Sequence, residues 1–162
     1  MSINIKEYEE KNKEQIINLI LPIQQDEYAI PITEADQPDL LDIYSYYIKE
    51  GGNFWTATIS NEVVGTISFL KVEDGVLALR KMFVKKEYRG SRYNIAARLL
   101  EYALEWAKGN EFDVIYLGTT NEFKAAHRFY EKNHFQEVTK SDLPSSFPIV
   151  HVDRKFYRRK LN

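Results

Sequence analysis

One change of period constrains this chain more than any other feature. Val76 to Val84 reads as a strand. From Ile95 onward the apolar positions Ile95, Ala96, Leu99, Leu100, Ala103, Leu104 and Ala107 recur at helical spacing, which predicts a helix from about Asn94 to Lys108. Gly109-Asn110 ends it, and Val114 to Leu117 follows as a short, wholly apolar run, the pattern of a strand buried on both faces. A strand, a helix and a buried strand in succession predict a parallel crossover inside a mixed sheet.

The flanking segments supply the rest of the layers. Ile3 to Glu9 alternates as a first strand. Asn12 precedes a helix with Ile16, Ile20 and Ile23 on one stripe, which Pro22 kinks or ends. Gln24 to Thr33 reads as a loop. Asp36 before Pro38 starts a second helix whose apolar face is Leu40, Leu41, Tyr44, Tyr47 and Ile48, and Gly51-Gly52 stops it. Phe54 to Ser60, Val63 to Val72 and Val76 to Val84 form a meander, with Asp74-Gly75 as a hairpin turn. With the first strand they make four antiparallel strands. Glu122 to Lys132 is a further helix, and Phe135 to Val138 and Val150 to Tyr157 close the chain as strands. The order β-α-α-β-β-β-α-β-α-β-β predicts a single α/β domain over residues 1–162, with a mixed, mostly antiparallel central sheet and helices on both faces.

The loop between Val84 and Ile95 carries the chemistry. A helix start presents unpaired N–H groups and the positive end of a dipole, which suit a phosphate or diphosphate. Arg89 and Arg92 add charge there, Gly90 adds backbone freedom, and Ser91 adds a hydroxyl.

From about Leu79 to Val138 the chain resembles the GNAT superfamily of acyl-CoA N-acyltransferases. Three features carry the resemblance: Met82-Phe83-Val84 followed by Tyr88-Arg89-Gly90, the Leu-rich helix Ile95 to Trp106, and the run Ala126-His127-Arg128-Phe129-Tyr130-Glu131-Lys132-Asn133-His134-Phe135. The loop departs from the family pattern (Q/R)-x-x-G-x-(G/A). Counting from Arg89, the small positions are Arg92 and Asn94. Counting back from Ala96, Asn94 takes the Gly position and Ser91 the Gln/Arg position. Asn tolerates left-handed backbone, so it suits a glycine position. Phe123 stands where many members have Asn, with Asn121 two residues earlier, and His134 stands where Gly is commoner.

The resemblance implies an acetyltransferase that moves an acetyl group directly from acetyl-CoA (coenzyme A) to a primary amine. It implies that Met82, Phe83 and Val84 contact the pantetheine arm and polarise the thioester carbonyl. The diphosphate falls to Arg89, Gly90, Ser91, Arg92, Tyr93, Asn94, Ile95 and Ala96, with Thr119 and Asn121 on the opposite side. Tyr130 matches the tyrosine that protonates the leaving thiolate, a role open to a phenol with a pKa of about 10. Gln24, Gln25, Tyr28 and Tyr47 are candidates for the acceptor wall, and Leu143 to Pro148 for the opposite one. Arg80 or Lys81 is placed to pair with an acidic group on the acceptor, or else to face solvent at an edge. Val76 to Val84 holds no carboxylate, so the base is water or an acid such as Asp26 or Glu27.

Composition excludes several classes. The chain has no cysteine, which removes thiolate chemistry and fits a cytoplasmic setting. His127, His134 and His151 lack metal-ligand spacing, so no metal is expected. No apolar run approaches the ~20 residues that span a bilayer, and no signal core opens the chain, so no membrane partner is expected. A net charge of −2 argues against nucleic acid despite the basic run Arg154, Lys155, Arg158, Arg159, Lys160. The acceptor is then a small-molecule or peptide amine, and a homodimer is compatible with the fold. Two alternatives remain at this stage. A non-catalytic acyl-CoA-binding module would bind acetyl-CoA without releasing CoA, and a nucleic-acid-associated protein would show steep salt dependence.

Overall fold

The computed structural model describes residues 2–161. Its strands are β1 (Ile3–Glu7), β2 (Asn53–Ile59), β3 (Glu62–Glu73), β4 (Val76–Val84), β5 (Val114–Thr119), β6 (Gln136–Val138) and β7 (Lys155–Lys160). They form one seven-stranded sheet in the order β1-β2-β3-β4-β5-β7-β6. The first four are antiparallel neighbours, β5 joins β4 in parallel, and β7 lies antiparallel to both β5 and β6. The expected crossover is the parallel β4–β5 pair, linked by α2 (Ile95–Gly109). The other α-helices are α1 (Lys13–Pro22) and α3 (Lys124–Lys132).

Each face of the sheet has its own core. On one side Trp55, Ile67, Leu77 and Ile115 pack against Leu99, Leu100 and Leu104 of α2 and Tyr130 of α3. On the other, Phe54 and Val63 pack against Ile16 and Ile20 of α1, with Leu40, Ile43 and Tyr47. The 3.6-residue stripe of α2 is thus its buried face: Leu99, Ala103 and Ala107 are fully buried.

Several expected boundaries move, each for a local reason. The first strand stops at Glu7 and the sixth starts at Gln136. Pro22 lacks the N–H that Asn18 would accept in a regular helix. The chain therefore runs on as a π-helical turn (Ile23–Glu27), closed by Tyr28 N–H to Ile23 O at 3.2 Å, where a loop was expected from Gln24. The expected second helix is a 3-10 turn (Pro38–Leu40) and a π-helical turn (Tyr44–Ile48). Asp42 accepts from the Ser45 N–H at 3.2 Å, a local bond that competes with the helical ladder. Leu41 and Tyr44, expected on the apolar face, are exposed. β5 alternates instead of being buried on both faces. Ile115, Leu117 and Thr119 are inside while Val114, Tyr116 and Gly118 are half-buried, because α1 covers β3 and β4 on that side. The third α-helix starts at Lys124. The last strand starts at Lys155, since Val150–Arg154 turns before it. Two of the basic residues of β7 have structural partners: Lys155 pairs with Glu137 at 3.5 Å, and Arg159 donates to Asn133 O at 2.9 Å.

Candidate functional site

β4 and β5 pair only from Val76–Val114 to Ala78–Tyr116. Beyond that point the strands part. A cavity of about 400 Å³ opens between them, lined by Leu79 and Phe83 of β4, Thr119 and Thr120, and Phe129 and Tyr130 of α3. On this side the second half of β4 has lost its sheet partner, so its backbone groups are free to pair with an extended ligand. Thr120 also offers a buried hydroxyl with no partner among the described residues.

The N-terminus of α2 opens into the same cavity through Gly90, Asn94, Ile95, Ala96 and Ala97. Gly90 has φ +101°, and Asn94 is left-handed at φ 54°, ψ 34°. Its N–H donates to Gly90 O at 3.0 Å, which curls the loop under the helix. Asn94 therefore holds the conformation a glycine would supply, which selects the loop register counted back from Ala96. No side chain caps the helix, so its first N–H groups and its dipole face the opening.

The residues singled out by sequence distribute as follows. Met82, Phe83, Val84, Arg89, Gly90, Asn94, Ile95, Ala96, Thr119 and Tyr130 line the cavity, as do Gln24, Tyr28 and Arg80. Ser91 and Arg92 are exposed on the outer side of the loop, with Arg92 over the Tyr93 ring at 5.3 Å, whereas Tyr93 is half-buried against the core and the Tyr88 ring. Asn121 is exposed, outside the cavity wall. Gln25 turns away and donates to Ile32 O at 2.9 Å, whereas Gln24 is buried in a reciprocal amide pair with Gln37 at 2.9 and 3.0 Å. Arg89 is engaged within the protein. Its Nε donates to Val84 O at 2.8 Å, and its two Nη groups grip Glu27, one at 2.8 Å. That grip holds the Glu27 carboxyl below its ordinary range and makes it a poor base.

The inner end of the cavity is polar. A β-bulge sets Lys81 and Met82 opposite Ile67 alone, with Lys81 left-handed at φ 50°. Thr66 and Ser68 clamp the bulge by donating to Lys81 O at 2.6 Å and Arg80 O at 2.7 Å. Adjacent strand residues normally face opposite ways. Here both cations reach one buried carboxylate: Asp39 Oδ2 lies 3.4 Å from Lys81 Nζ and 3.8 Å from Arg80 Nη2. Tyr47 donates to the same oxygen at 2.6 Å. Asp153 lines the cavity beside them.

Burial pulls the Lys81 ammonium down to about 8, against the opposing attraction of Asp39. An unfolded lysine titrates near 10.4. Between these values the unfolded chain binds more protons than the folded one, so stability rises with pH. The thermal midpoint is expected to climb as pH goes from 8 toward 10. In Lys81→Met that climb should disappear, and a climb that persists would place its origin elsewhere.

Tyr130 is 6% exposed, and burial alone pushes its phenol up, with no charge or hydrogen bond contributing. Phe129, Phe135 and Tyr157 pack around its ring with centroids 5.6–5.9 Å away.

Sequence reasoning passed over two acids, Asp39 and Asp153. Nothing in the helix-start pattern around Pro38 marks Asp39 for burial, since its partners are distant in sequence. Asp153 did carry a signal: aspartate is disfavoured in strands, and it sits inside a run read as one. Among the described residues there is no cluster of three or more metal-type ligands, and no helix is long and apolar enough to cross a membrane.

Comparison with known proteins agrees with this geometry. Residues 17–135 match the model of the acetyltransferase (GNAT) family. A crystal structure of a GNAT-family acetyltransferase from Staphylococcus aureus Mu50 superposes with a TM-score of 0.96 at 43% identity, covering 99% of this chain and 100% of that one. The PaiA N-acetyltransferase of Thermoplasma acidophilum, solved with coenzyme A, shares the fold at a TM-score of 0.77 and 18% identity, over 99% of each chain. N-acetylaspartate synthetase of Xenopus tropicalis is 41% identical over 106 residues, which is 64% of this chain and 38% of that protein. The chain thus spans little more than a third of the curated relatives it matches first.

Proposed function

Because this chain belongs to the acetyltransferase (GNAT) family, we propose that it transfers an acetyl group directly from acetyl-CoA to the primary amine of a small, carboxylate-bearing acceptor. The observation that carries this reading is one cavity that joins three things: the uncapped start of α2, the free edge of β4 and the Tyr130 side chain. The helix start suits the diphosphate of coenzyme A. The β4 edge from Leu79 to Val84 suits the pantetheine amides, added like a strand, and a backbone N–H near Phe83 or Val84 polarises the thioester carbonyl. Tyr130 gives a proton to the departing sulfur. Arg80 and Lys81, facing the cavity rather than solvent, suit a carboxylate on the acceptor. The name of the relative N-acetylaspartate synthetase points to an acceptor of that chemistry.

The test is a thiol-release screen of acetyl-CoA against an amine library that contains L-aspartate, other amino acids, polyamines and aminoglycosides. Turnover is expected with amino acids, and uncharged or polycationic amines should lag. CoA binding without turnover on any amine would leave only a binding module.

Charge reversal in the loop addresses the cofactor directly. Arg89→Glu combined with Arg92→Glu is expected to weaken CoA binding about tenfold, because negative charge then replaces positive beside the helix start that suits the diphosphate. Calorimetry on the folded double variant reads it, and unchanged affinity would reduce the loop to a connector.

A further inference from the structure

We propose that Asp153 is the catalytic base that takes a proton from the acceptor's ammonium, an assignment that deepens the transferase reading and rests on it. Among the described residues it is the one carboxylate that lines the cavity. The other nearby acids are committed. Glu27 is gripped by Arg89, and Asp39 is saturated by Tyr47, Lys81 and Arg80. β4 carries no acid at all.

The chain is built to deliver this side chain. The turn at Val150 closes through Asp153 N–H to Val150 O at 2.9 Å, and the Val150 N–H donates to Asp153 Oδ2 at 3.1 Å. Arg154 N–H then donates to Thr119 O at 2.9 Å, which docks the turn on the end of β5. The carboxylate lies over Gly118: a Cβ at that position would sit 2.5 Å from Asp153 Oδ2 and 3.0 Å from the Phe156 ring. Only a glycine leaves room for it. Gly118 lies two residues past the last β4–β5 pair, where the strands have already parted.

The electrostatics suit a base. The charged groups facing Asp153 are Arg80 and Lys81 on β4 and Arg154 in its own turn, while β5 presents only Gly118. Burial raises the carboxyl above its ordinary range despite those cations and the Val150 N–H. Arg80 and Lys81 would hold the acceptor's carboxylate and leave its ammonium toward Asp153. Asp153 takes one proton from that ammonium and passes it to solvent. The freed nitrogen pair forms the C–N bond as the carbonyl π pair moves to oxygen. That pair returns, the C–S bond breaks, and sulfur takes the Tyr130 proton, which the second proton on nitrogen replaces. The sum is amide, CoA thiol and one released proton.

The experiment is Asp153→Asn with acetyl-CoA and L-aspartate as the probe acceptor, from pH 6 to 9. Asn keeps the bond from Val150, so the turn is preserved. At pH 7 kcat is expected to fall about 100-fold. It should recover as pH rises, because free amine then forms without help, while CoA affinity stays unchanged. Gly118→Ala is expected to lose activity likewise by displacing the carboxylate. A wild-type rate and pH profile, or a raised KM with kcat intact, would overturn the proposal. A second measurement needs no acceptor: a carbon NMR titration of the Asp153 carboxyl in the CoA-bound protein, assigned with Asp153→Asn. A midpoint clearly above the ordinary aspartate value of about 3.9 supports the assignment, and one at or below it overturns it. If the wild-type protein turns over no amine, the transferase reading fails separately and the titration still decides the character of Asp153.

Discussion

Tyr130→Phe is expected to lower kcat about 100-fold while acetyl-CoA affinity and fold stability stay close to wild type. The ring is held by Phe129, Phe135 and Tyr157, and phenylalanine keeps all of those contacts. The hydroxyl has no hydrogen-bond or charged partner that shifts it, so removing it leaves no orphaned group behind. A structural tyrosine would behave in the opposite way, with lost stability and retained chemistry. Burial keeps the phenol protonated at any working pH. It would also raise the basicity of a thiolate expelled into the same cavity, which would keep donor and acceptor of the proton matched. Steady-state kinetics with calorimetry on one variant separates the two effects. Wild-type kcat would remove Tyr130 from the chemistry.

Asp39→Ala is expected to cost about 3–5 kcal/mol of stability. The carboxylate is 1% exposed and serves Tyr47, Lys81 and Arg80 at once. Truncation leaves two buried cations without their counter-charge and a phenol without its acceptor. Desolvation then acts on Lys81 with only the weaker pull of Asp153 against it, so its ammonium should titrate still lower than about 8. Urea unfolding measures the loss, and a cost below about 1 kcal/mol would mean that water relieves the cations. Lys81→Met combined with Asp39→Ala should be less damaging than the two effects summed, since each removes the other's penalty.

The architecture was legible where local pattern and tertiary burial agree. The bounds of β4, the Asp74-Gly75 turn and the helix from Ile95 all follow from period and turn chemistry. Asn94 was readable as a left-handed residue because few side chains accept that backbone. What escaped depends on contacts between distant residues. The π-helical turn after Pro22 answers to a missing donor and to packing, not to periodicity. Asp39, Arg80 and Lys81 meet only once the sheet is formed. The Arg89–Glu27 grip joins positions 62 residues apart, so the loop arginine read as a phosphate ligand already has a carboxylate partner. Asp153 was hidden by a strand drawn too long at its start.

The bulge in β4 also reverses parity along the strand. Before it, odd-numbered Leu77 and Leu79 join the core under α2; after it, even-numbered Met82 and Val84 lean on that core while Phe83 turns to the α1 side. A residue-by-residue scan for tolerance of polar side chains would therefore beat with a two-residue rhythm that skips a step at residue 81. Forcing the strand straight with all its residues kept would send every later side chain to the wrong layer, whereas deleting one residue there would restore a regular ladder and leave each on its own side.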